Sequence, residues 1–141
     1  MFPSSPISGA PMSDRQLVSS GSYLEPIIGF SRAVRVGNLI AVGGTAPIAV
    51  GGGTAAKGDV YGQAQRCLEI IVKALADAGA GFGDVVRTRV ILTDIGLWTE
   101  ASKAHAEVFK DIRPVTTVMA VTAFVDSSWL IEIEVDAVVA D

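Results

Sequence analysis

The sequence predicts a single α+β domain: a mixed β-sheet with two helices on one face, in the order β-β-α-β-α-β-β. Three observations carry this reading. In the last strand segment Ile131, Ile133, Val135 and Ala137 alternate with Glu132, Glu134 and Asp136, the period-two pattern of a sheet with one buried face. Val60, Ala64, Cys67, Leu68, Ile71, Val72 and Leu75 recur at helical spacing, leaving Gln63, Arg66, Glu69 and Lys73 largely outside the stripe. A chain of 141 residues holds one modest core and falls well below the size at which chains split.

The elements follow in order. Met1-Phe2-Pro3-Ser4-Ser5-Pro6 lacks the basic and apolar regions of a secretory signal. Residues 1–20 are expected to form a disordered N-terminal extension, of which the part up to about Pro11 precedes an ordinary start at Met12; residues 21–141 are expected to form the domain. Ala33–Val36 and Leu39–Val42 flank Gly37-Asn38, a two-residue loop suited to the mirror-image turn of a hairpin. Residues 46–58, with Gly51-Gly52-Gly53, read as a flexible loop, after which Asp59 is placed to cap the first helix, which ends near Gly79. Val85 to Thr93 reads as a strand with Arg87 and Arg89 on one face. A second helix runs from about Thr99 to Lys110 and is stopped by Pro114. Strands from Thr116 to Ala123 and from Leu130 to Val139 close the chain.

Composition narrows the function. Half the residues are hydrophobic and 18% are charged, an apolar excess that points to self-association. The net charge is −4, the pI is near 4.9, and the eleven basic residues are unclustered, which argues against nucleic acid as a partner. The charge-free stretch from Gly37 to Ala56 is broken by glycines and Pro47, so no membrane span is expected. One cysteine and one histidine exclude an intrachain disulfide and any Cys/His metal constellation, and a reducing, cytoplasmic setting fits.

The candidate residues are few. Cys67 sits on the apolar stripe with no histidine at helical neighbour spacing and reads as core. His105 reads as a packed or surface residue of the second helix. Gly51-Gly52-Gly53-Thr54 lacks the Gly-Lys-Ser/Thr ending of a phosphate loop, and Gly79 to Gly83 precedes a strand; both are turns. The row Glu132, Glu134, Asp136 is a solvated strand face in a monomer; in an oligomer it becomes a cleft wall, where a carboxylate holds a water. Arg32 is expected at a rim, either as an ordinary exposed arginine or as a fork for a carboxylate. Trp98 and Trp129 lie near turns, where an aromatic either covers a cleft or seals the core.

Three blocks in order, Ala33 to Ile40, Asp84-Val85-Val86-Arg87-Thr88 with Leu92-Thr93-Asp94, and Ile131 to Val138, resemble the YjgF/RidA family of reactive intermediate deaminases. The resemblance implies a chorismate-mutase-like fold, a homotrimer with clefts between subunits, and hydrolysis of enamines or imines such as 2-aminoacrylate to a 2-keto acid and ammonia without metal or organic cofactor. It further implies that Glu132 positions the attacking water. Phe30 stands at the family's tyrosine, Gly43, Gly44 and Thr45 at its Ser-Gly-Gln turn, and Thr116 at the arginine that clamps the substrate carboxylate. Hydrogen bonds to charged groups are worth about 1.5–3 kcal/mol, so losing the clamp weakens carboxylate binding by roughly ten- to a hundredfold unless Arg32 or Arg113 replaces it. The expected function is a deaminase or related hydrolase acting on a small molecule; the alternatives are a trimeric metabolite-binding protein without turnover and, less favoured, a ribonuclease.

Overall fold

The computed structural model describes residues 14–140. Six strands form one sheet: β1 (Arg15–Val18), β2 (Ala33–Val36), β3 (Leu39–Thr45), β4 (Val85–Leu92), β5 (Val115–Ala120) and β6 (Ile131–Val138), in the spatial order β1-β2-β3-β6-β4-β5. All pairings are antiparallel except β4 with β5, so the sheet is mixed as expected.

Two helices, α1 (Val60–Asp77) and α2 (Trp98–Phe109), cover one face and pack against each other. Asp59 caps α1 by accepting a bond from the Gly62 N–H at 3.2 Å, satisfying one of the donors orphaned at a helix start. The predicted stripe is buried apart from Val72, which is exposed, and Gln63, expected outside it, is wholly buried. Ala64, Cys67, Ile71 and Leu75 meet Ile131, Ile133, Val135 and Ala137 in the core. Gly37, at φ +58°, makes the hairpin turn.

Two expectations need correction. Residues 14–20 are not part of a disordered extension, because Arg15–Val18 pairs with β2 and Val18 is buried; residues 1–13 lie outside the described residues. Gly43-Gly44-Thr45 is not a turn after the second hairpin strand but the end of β3 itself, where the register against β6 shifts between Val42 and Thr45.

Candidate functional site

The irregularity at the end of β3 builds the site. It turns the Gly43 and Gly44 carbonyls toward the start of β2, where Arg32 Nη1 donates to Gly44 O at 2.7 Å, to Thr45 Oγ1 at 3.2 Å and to Gly43 O at 3.4 Å. Its Nε donates to Ser20 Oγ at 3.2 Å, and the guanidinium lies 5.2 Å from the centroid of the Phe30 ring. Arg32 is therefore not an exposed arginine: it is 4% exposed. Desolvation disfavours its charge, while Glu25 and Glu132 favour it.

Glu25 is a member of this cluster that the sequence reading missed. Its Oε2 accepts bonds from Ser20 N, Ser20 Oγ and Ser22 N at 3.0–3.2 Å. Burial raises its pKa, but bonds from Ser19, Ser20 and Ser22 outweigh that and hold the carboxyl below its usual range. The spacing Ser22-x-x-Glu25, a capping-box signature, was the available signal.

A cavity of about 460 Å³ opens beside Arg32, lined among others by Phe30, Gly44, Val125, Trp129, Glu132 and Glu134. Gly44 admits the Glu132 carboxylate to the backbone: a Cβ there would sit 2.5 Å from Oε1. Glu132 has no hydrogen-bond partner among the described residues. Burial pushes its carboxyl above the usual range, Arg32 opposes the shift and Glu134 reinforces it. Trp129 is 3% exposed, and its Nε1 is buried without a partner. Most buried donors are bonded, so this one is an exception.

The loop bearing Trp129 is tied down from two sides. Ser128 Oγ lies 2.6 Å from Thr54 Oγ1 and donates to Asp126 Oδ1 at 2.6 Å, while buried Gln63 donates to Ser128 O and accepts from Leu130 N. The segment around residue 54 and the 125–130 loop are thereby joined at the cavity wall.

Several predicted residues lie elsewhere. Thr116 pairs with Thr88, which pairs with Val135, so its side chain lies on the helix-covered face; Glu132 lies on the opposite, open face. In one protomer the two cannot form one site. Trp98, 53% exposed, starts α2, and exposed Arg113, at φ +58°, follows it; neither lines the cavity beside Glu132. Phe30, Arg32 and Gly44 do, and Thr45 binds Arg32 behind it. Cys67 is wholly buried, and burial drives its thiol well above the ordinary range, which keeps it un-ionised and inert. Among the described residues no group of three His, Cys, Asp or Glu side chains is placed to hold a metal ion, and no helix is long and apolar enough to cross a membrane.

Comparison with known proteins places this geometry. The sequence profile described as Endoribonuclease L-PSP matches residues 20–139. Protein SCO2049 of Streptomyces coelicolor is 39% identical over 120 residues, covering 85% of this chain and 89% of its own. Rv2704 of Mycobacterium tuberculosis, a member of the YjgF/YER057c/UK114 family, superposes with a TM-score of 0.80 at 45% identity, covering 89% of this chain and 99% of its own. Human 2-iminobutanoate/2-iminopropanoate deaminase is 28% identical over 124 residues, covering 88% of each.

Proposed function

Because the chain belongs to the YjgF/RidA family, whose profile is described as Endoribonuclease L-PSP, we propose that it hydrolyses small imines or enamines in the cavity beside Glu132. The observation that carries this reading is the Glu132 carboxylate, desolvated and without a hydrogen-bond partner among the described residues, facing a cavity lined also by Arg32 and Trp129. The human relative's name adds support from imine deamination.

In this reading Glu132 orients the attacking water, and its raised pKa brings it nearer to neutrality, where proton exchange with a reacting group is easiest. Arg32 supplies the positive charge that Thr116 lacks. Its Nη1 is held by Gly44 O and Thr45, which fixes the fork and lowers the entropy lost on binding an anionic substrate. Trp129 lends its ring to the cavity wall.

The working unit is a homotrimer. Leu17, Leu39, Val115 and Val138 project from the open sheet face and are 45–61% exposed. Burying such a side chain is worth about 1.5–3 kcal/mol, so a face carrying four of them favours a partner copy. Between them the face carries Arg89 bonded to Glu134 at 3.1 Å and Arg87 at 3.7 Å from Asp136, pairs already matched within the protomer. A trimer also supplies Thr116 to a neighbouring cleft, which the single protomer does not.

The experiment is an assay on imines generated by an amino-acid oxidase, following 2-oxo acid release against the uncatalysed rate. Acceleration on at least one imine is expected, with 2-aminoacrylate among the weaker substrates because no arginine stands at position 116. No acceleration on any would contradict the reading. A second reading, metabolite binding without turnover, is favoured by Thr116 alone, and it predicts saturable binding with no product.

A further inference from the structure

We propose that Thr116, Thr88 and His105 form a proton relay serving the active cleft from the β5 edge. This rests on the hydrolase reading above and on two side chains behind Thr116 that it does not use, those of Thr88 and His105. Thr116 Oγ1 lies 2.8 Å from Thr88 Oγ1, which lies 2.8 Å from His105 Nε2. The chain runs from an exposed end, Thr116, through a fully buried link, Thr88, to a half-buried imidazole on α2.

Every atom in the chain both donates and accepts, so it has two polarisations. In the outward one, His105 Nε2–H donates to Thr88, Thr88 to Thr116, and Thr116 to Pro114 O at 3.2 Å. That last bond is long and faces solvent, so a ligand acceptor displaces it readily. In the inward one, Thr116 donates to Thr88 and Thr88 to a neutral imidazole, leaving the Thr116 lone pairs free to accept. Desolvation holds the imidazole below its ordinary pKa, so the neutral form prevails near pH 7, and His105 also lies against Phe109, ring centroids 4.7 Å apart.

Passing from the inward to the outward state moves one proton. As the C–O bond forms between water and the carbon of the protonated imine, the C=N π pair becomes the nitrogen lone pair and one water proton goes to Thr116 Oγ1. The Thr116 proton goes to Thr88 Oγ1 and the Thr88 proton to His105 Nε2, leaving an imidazolium. When the C–N bond breaks, that proton returns along the chain to the departing nitrogen, while the adduct's hydroxyl gives its proton to the Glu132 carboxylate as the C=O bond forms, and the carboxylate passes it to the ammonia. One protonated imine and one water become a 2-oxo acid and one ammonium ion, with His105 neutral and Glu132 ionised again.

Packing does not require a hydroxyl at residue 88. The next inward positions of β4 are Val90 and Leu92, and a valine has nearly the threonine shape. A polar group is kept in the interior because both of its bonds are made.

The test uses Thr88→Val, which cuts the chain, and Thr88→Ser, which keeps a hydroxyl and controls for folding. The relay predicts that Thr88→Val lowers kcat by about 10²-fold with KM changed less than about twofold, and that Thr88→Ser recovers kcat to within about threefold. A Thr88→Val protein with wild-type kcat, alongside a crippled Glu132→Gln, would overturn the relay and leave the hydrolase reading standing. If the wild type turns over no imine, the hydrolase reading fails by itself and the relay is judged by nitrogen NMR of His105, the only histidine in the chain. Pyruvate should then shift the Nε2 resonance in the wild type and not in Thr88→Val; an unmoved wild-type resonance overturns it.

Discussion

Gly44 and Glu132 are in direct contact: a methyl group built on Gly44 lands 2.5 Å from the Glu132 Oε1, nearer than an alanine would tolerate. Gly43, one residue earlier, has open space at the same position. Gly44→Ala should therefore displace the carboxylate and lower turnover by about 10²-fold, the usual worth of one acid–base group, whereas Gly43→Ala should stay near wild type. Parallel kinetics on the two variants check this, and equal losses would mean that the contact does not set the Glu132 position.

The same carboxylate gives a pH signature. Its folded pKa is raised above the ordinary value of 4.5, first by burial and further by Glu134, against the pull of Arg32. The sign follows from linkage: relative to a neutral isostere, stability is intact below the unfolded pKa and is lost as pH rises through the folded one. Glu132→Gln should accordingly melt at a higher temperature than wild type at pH 7, with the difference closing below about pH 4. Thermal melts across that range decide it.

Trp129 and Trp98 separate by fluorescence, one enclosed and one exposed. In Trp98→Phe the remaining indole should respond to pyruvate binding. Trp129→Phe, which trims the ring at the cavity wall, should weaken that binding by about tenfold. A Trp98→Phe protein that binds pyruvate with no change in emission would remove Trp129 from the site.

Light scattering at micromolar concentration should report a trimer for the wild type and a smaller species for Leu39→Asp, which puts a charge among the apolar residues of the open face. A wild-type monomer would remove the neighbouring-subunit role of Thr116.

Much of this fold was legible where a pattern was local. The Gly37-Asn38 turn declares itself by its residue types, and the α1 stripe and the β6 alternation state their own burial, because side-chain direction repeats about every 3.6 residues in a helix and every two in a strand. The β1 strand was not legible, since Arg15-Gln16-Leu17-Val18 has one buried side chain and owes its extension to pairing with Ala33–Val36. Arg32 misled for a related reason: a buried arginine is rare, and the backbone carbonyls that satisfy it come from Gly43 and Gly44. The side of Thr116 was equally hidden. In Val115-Thr116-Thr117-Val118 all four residues are exposed on an edge strand, so no alternation marks which face carries which residue. Of the site residues, Phe30, Gly44 and Glu132, on strands and their flanks, line one cavity, whereas the place of Trp129 depended on a loop held by Gln63 and Ser128.

The central claim is that Glu132 makes this cavity a hydrolytic site, and the most direct measurement is the rate of imine hydrolysis by wild type and Glu132→Gln on the best substrate of the oxidase-coupled panel. The substitution keeps the size of the side chain and removes its charge and basicity. The account predicts a loss of about 10²–10⁴-fold in kcat, with pyruvate affinity changed far less. Equal rates for the two proteins would contradict it and leave Glu132 as part of a polar strand face.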